Sequence, residues 1–160
     1  MSAYGVPTEV DGALPWQWAE ERLVANHNYW VGTVDPQARP HSMPVWGVWM
    51  AGDERFWFSC AEASFKARNL AGNPHVVVTT SDTVEVVSVE GTAAPGDKDT
   101  SAARAAAETY ATKYESDPEK QAALADFVLA GALFVVEPRK AFGIIEHEED
   151  FAAKATRWAW

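Results

Sequence analysis

The chain has 160 residues, enough for one domain with a buried core. Hydrophobic residues make up 48% and charged residues 22%, a globular composition and not a disordered one. The net charge of -10 argues against nucleic acid, which needs a basic face, but leaves room for a small anion held by a local basic cluster.

One cysteine, Cys60, rules out an internal disulfide framework and a cysteine-built zinc site, and fits a reducing compartment. The opening MSAYGVPTEVDG has neither the basic region nor the apolar run of a signal peptide. No stretch is long and apolar enough to cross a membrane, so a cytoplasmic protein is expected.

In chain order, LPWQWAEERLVANHN reads as a helix, with Pro15 in the first turn and Glu20 and Glu21 on its dipole-favourable side. YWVGTV is a strand and DPQARP a turn. HSMPVWGVWM and RFWFSC, joined by AGDE, read as two strands rich in β-branched and aromatic residues. Pro44 marks an edge, a bulge or a place where something else meets the backbone. SFKARNLAGNP holds a short helix ended by Gly72 and Pro74. HVVVTT and VEVVSVEGTAA are strands again. DKDTSAARAAAETYATKYESD is helical by propensity, and Pro118 opens a further helix that Gly131 closes. ALFVVEP and KAFGIIE read as the last two strands, and EEDFAAKATRWAW as a terminal segment, part helix. There is no repeat, linker or domain boundary. Residues 1–160 read as one mainly β domain, an antiparallel barrel with peripheral helices, because consecutive strands lack helix-sized crossovers.

The eight tryptophans suit core packing, and they also suit a flat aromatic ligand. There is no Walker loop and no GxGxxG after a strand. His27, His41, His75 and His147 show no metal-like spacing, and no metal is expected. The run from Glu146 to Asp150 reads as a solvated acidic face. The remaining candidate is ASFKARNL, which places Ser64, Lys66, Arg68 and Asn69 where a strand hands over to a helix. Cations at a helix N-terminus oppose the dipole, whereas amides, a hydroxyl and cations together suit a phosphate. Lys66 and Arg68 are two positions apart and do not share a helix face. On spacing alone a solvent-exposed basic helix is favoured over an anion site.

The ordered set NYWVGTVDPQARPHSMPVWGVWM, RFWFSC, SFKARNL, NPHVVVTT and VEVVSVEGTA resembles the split β-barrel flavin and deazaflavin oxidoreductases, the broad family of the pyridoxamine 5'-phosphate oxidases. With LPWQWAEERL and TRWAW it is most similar to the actinobacterial branch that binds coenzyme F420. The resemblance implies a six-stranded or similar split antiparallel barrel. It also implies a homodimer with two cofactors in the grooves between subunits, and a small-molecule substrate. It turns ASFKARNL into a phosphate anchor, with Ser64 and Lys66 matching the family's Ser-Arg-Lys stretch, Phe65 in place of the arginine, and Arg68 and Asn69 beside them. It places Ser42, Met43, Pro44, Val45 and Trp46 beneath the ring system, Ala38 where a turn glycine is usual, and Arg157 and Trp158 on a segment returning to the cofactor. Arg39, Arg68, Arg139 and Lys140 are the cations available for the acidic tail of F420. The function implied is hydride transfer from reduced F420 to a small organic acceptor, with water or His41 as proton donor. The alternatives are an FMN-dependent oxidase of a phosphorylated pyridoxine vitamer and a non-enzymatic flavin or deazaflavin binder.

Overall fold

A computed structural model describes residues 12–151 and 153–160. The opening residues read above for a leader lie outside these, apart from Gly12. Among the described residues four helices, α1 (Trp16–Ala25), α2 (Phe65–Gly72), α3 (Ser101–Tyr114) and α4 (Pro118–Ala130), accompany eight strands. The strands are β1 (Tyr29–Val34), β2 (Pro40–Val45), β3 (Gly47–Met50), β4 (Arg55–Cys60), β5 (His75–Thr80), β6 (Glu85–Pro95), β7 (Ala132–Ile145) and β8 (Thr156–Ala159). All pairings are antiparallel, in the order β2-β1-β5-β6-β7-β4-β3, with β8 also on β7. The result is a split antiparallel β-barrel with peripheral helices, as the sequence led us to expect. None of the described helices is long and apolar enough to cross a membrane.

Alternation sorts the side chains. Tyr29, Val31, Phe56, Phe58, Val78, Val87, Val89 and Val136 fill the barrel, and Ala19 and Leu23 of α1 join them. Trp57 points the other way from Phe56 and Phe58, into a second core with Val48, Leu133, Val128 and the alanine face of α3. The β3-β4-β7 half is therefore buried on both faces. The outer face of the β1-β2-β5-β6 half instead carries Trp30, Ser42, Pro44, Val77 and Glu90, all exposed or half-exposed.

Four expectations change. HSMPVWGVWM is two strands, because the chain stops pairing with β1 at Val45 and starts pairing with β4 at Gly47. Trp46 turns out at this corner and stacks on Tyr114 at 4.6 Å, while the Gly47 amide donates to the Tyr114 hydroxyl. ALFVVEP and KAFGIIE are one strand, β7. Pro138 sits opposite Gly91, where the β6–β7 register shifts, so its missing N–H falls at a bulge. The terminal segment forms a strand and, among its described residues, no helix, because Thr156 to Ala159 complete the edge of β7 that β4 leaves open. Helix α1 ends at Ala25, and Glu20 and Glu21 lie beyond its first turn, where Glu20 accepts from Trp49 Nε1. Pro44, by contrast, lies on β2, an edge strand where its lack of a donor is tolerated.

The β1–β2 turn is held by Asp35, and Ala38 within it has φ +60°. That conformation strains any residue with a Cβ by roughly 1–2 kcal/mol. Ala38→Gly removes the strain but loosens the unfolded chain by roughly 0.4–1 kcal/mol. A Tm increase of about 2 °C is expected in thermal unfolding.

Lys113 bolts α3 to the barrel. Its Nζ donates to Tyr29 Oη at 2.7 Å, Val24 O at 3.1 Å and Gly47 O at 3.3 Å. Burial lowers its pKa to about 8, and burial pushes Tyr110 and Tyr114 up to about 12. Between pH 8 and 10.5 the unfolded lysine holds a proton that the folded one has released, so stability rises with pH. Above about pH 10 the unfolded tyrosines ionise while the buried ones stay protonated, so stability falls. Urea midpoints across this range are expected to pass through a maximum, and Lys113→Met is expected to abolish the rising limb.

Candidate functional site

The site is built where β4 ends. Ser64 caps α2, its Oγ accepting from the Ala67 amide at 3.3 Å and donating to Cys60 Sγ at 3.3 Å. A thiol is a weak acceptor, so the hydroxyl proton is easily redirected to a phosphate oxygen. Asn69 fastens the helix: its Nδ2 donates to Thr33 Oγ1 at 3.0 Å, with both side chains buried, and Leu70 enters the barrel core. This buried hydrogen bond fixes the middle of α2 against β1.

Between them lies a cavity of about 340 Å³. Val31, Thr33 and Met43 form one wall, Ser64, Phe65 and Lys66 the other, with His41 and Ser42 along β2. Lys66 is half-buried and pairs with no carboxylate among the described residues. An ammonium, a hydroxyl and helix-start amides are together the chemistry that suits an anion. Arg68 is exposed and does not line it. Its guanidinium lies 4.6 Å over the Phe65 ring and donates to Ala63 O at 2.6 Å. Lys66 and Arg68 thus occupy different faces of α2.

Of the five residues from Ser42 to Trp46 expected beneath a ring, the structure brings Ser42 and Met43 to this cavity. Val45 faces the barrel core, Pro44 lies on the outer face opposite Trp30, and Trp46 is committed to Tyr114. Arg157 and Trp158 are on β8, beyond β7, and Trp158 packs edge-on against Trp16 at 5.5 Å. They do not line this cavity. Among the candidate tail-binding cations, Lys140 pairs with Glu90 at 2.8 Å and Arg39 with Asp35 at 2.7 Å. Thr33 and Phe65 are cavity residues that sequence reasoning did not assign to the ligand. The outer face of β1, β2 and β5 adds an open groove of about 620 Å³, bordered by Gly32, Ser42, His41, His75 and Glu90.

The family model described as pyridoxamine 5'-phosphate oxidase matches residues 17–135, which hold β1 to β6, the whole of α2 and this cavity. The chain belongs to the pyridoxamine 5'-phosphate oxidase family. No curated protein matches it significantly. Similar solved structures include a conserved hypothetical protein from Mycobacterium tuberculosis, 19% identical, covering 85% of this chain and 86% of that one with a TM-score of 0.63. The heme storage protein HutZ from Vibrio cholerae is 18% identical, covering 79% and 91%, with a TM-score of 0.61. An F420 reductase is 20% identical, covering 76% and 94%, with a TM-score of 0.53. At these identities the likeness is one of fold.

Proposed function

We propose that this member of the family binds coenzyme F420 as a homodimer and acts as an oxidoreductase on a small organic acceptor. The observation that carries the reading is Lys66, which pairs with no carboxylate among the described residues and lines, at the start of α2, a cavity floored by β1 and β2. Lys66, Ser64 and the first amides of α2 would hold the cofactor's phosphate, and Ser42 and Met43 would lie against its ring. Once bound and reduced, the cofactor supplies the hydride. The chain's own work is to orient the ring, exclude water with Met43 and Phe65, and leave one ring face to the acceptor. The exposed outer face of the β1-β2-β5-β6 half is the surface that a second copy would cover. In such a dimer Arg157, exposed on β8, would serve the partner's site and not its own.

The test is binding of F420 and FMN side by side, by fluorescence quenching. Tight F420 and weak FMN binding is expected, and the reverse would make this an FMN enzyme. Tight binding without turnover on any acceptor would indicate a carrier. A second reading is favoured by His41 and His75 bordering the larger groove, where two imidazoles could ligate a heme iron. A Soret shift on adding hemin, lost in both His41→Ala and His75→Ala, would support heme over a deazaflavin.

A further inference from the structure

We propose that His41 is a binding residue of this same site, held by Asp35 as its positioning residue, and that its imidazolium adds a second positive charge beside Lys66 for an anionic group of the ligand. The inference rests on reading the cavity as a cofactor site. His41 lies opposite Thr33 on β2 and lines the cavity with Lys66. Two contacts fix its ring. Phe65 is parallel to it, with centroids 6.0 Å apart and planes 9° from each other. On its edge, Nε2 faces Asp35 Oδ2 at 3.4 Å.

Asp35 is well suited to hold it. Its side chain is 8% exposed, Oδ1 accepts from the Gln37 and Arg39 amides at 2.9 Å each, and Oδ2 accepts from Arg39 Nε at 2.7 Å. These bonds, led by the Arg39 amide, keep the carboxyl ionised far below the usual range. A fixed carboxylate at Nε2 keeps the proton of the neutral imidazole there, which leaves Nδ1 an acceptor. When the ring is protonated, Nδ1 becomes a donor.

The surrounding charges decide the sign. Asp35 is already offset by Arg39, so protonation of His41 adds net positive charge to a cavity that holds Lys66, with Arg68 over Phe65. On the outer face, Glu90 is offset by Lys140, and His75 borders the same groove as His41. An anion in the cavity therefore favours the imidazolium, and by reciprocity the imidazolium favours the anion.

The experiment is an NMR titration of the imidazole signals, with His41 assigned by the loss of its peak in His41→Gln. It is run on the apo-protein, with saturating F420, and with the phosphate-free deazaflavin nucleoside. F420 is expected to raise the His41 pKa by about one unit, with affinity ~10-fold tighter at low pH than at high pH. The phosphate-free analogue is expected to leave it in place. Asp35→Asn is expected to shrink the F420-induced change at His41, an effect that a merely structural turn residue would not have. Saturating F420 binding with His41 unmoved, or an unchanged pH dependence in His41→Gln, would overturn the proposal while leaving the Lys66 anchor intact. No F420 binding at any pH would overturn both.

Discussion

Lys66→Ala is expected to bind F420 about 10- to 150-fold more weakly than wild type while unfolding at the same or a slightly higher temperature. Hydrogen bonds to a charged group are worth roughly 1.5–3 kcal/mol, and each 1.4 kcal/mol is about tenfold in affinity. Lys66 is the second residue of α2, where its charge opposes the helix dipole. Alanine there removes that repulsion, roughly 0.3–1 kcal/mol, and raises helix propensity. Stability and binding should therefore move in opposite directions, which separates a ligand anchor from a structural residue. Lys66→Arg should recover part of the affinity by keeping the charge. Equal F420 affinity in Lys66→Ala and wild type would sink the anchor assignment.

Local signals marked most elements because they act over a few residues. Ser64, Thr100 and Asp117 cap α2, α3 and α4 with their own side chains, and Pro118 opens α4. Alternation in YWVGTV and HVVVTT gave β1 and β5 their bounds. The misread stretches were set by distant partners. Pro138 would end an isolated strand, but the bulge at Gly91 on β6 accommodates it. HSMPVWGVWM divides because β1 takes one half and β4 the other. TRWAW is a strand because β4 stops short along β7.

The site was legible to the same degree. The cap and the separate faces of Lys66 and Arg68 follow from helix spacing. The commitments of Asn69 to Thr33, Trp46 to Tyr114 and Val45 to the core are tertiary, and no window of sequence contains them. Asp35 could have been found: DPQAR has an acid opening a turn whose next amides it can accept, and a histidine lies six residues on. What the turn could not tell was that the histidine would line one cavity with Lys66.

Gly91→Ala is expected to destabilise the chain by about 3 kcal/mol, at the upper end of overpacking costs, and to lower Tm by roughly 6–12 °C. A Cβ at Gly91 would lie 2.2 Å from Glu137 O, 3.0 Å from Glu137 C and 3.1 Å from Pro138 Cα. All three are backbone atoms, so no side chain can swing aside. The clash falls at the bulge of the β6–β7 ladder, the longest in the sheet. Strand β6 continues to β5 and β1, which floors the cavity, whereas β7 carries β4, from which α2 starts. Relief of the clash must part these two halves, so cofactor binding should fall together with stability, the opposite of Lys66→Ala. Gly72→Ala is the control: its Cβ meets nothing within 4 Å, and a change within about 0.5 kcal/mol is expected. Should both variants unfold at the wild-type temperature, the close approach of β6 to β7 at the bulge would not be the constraint described.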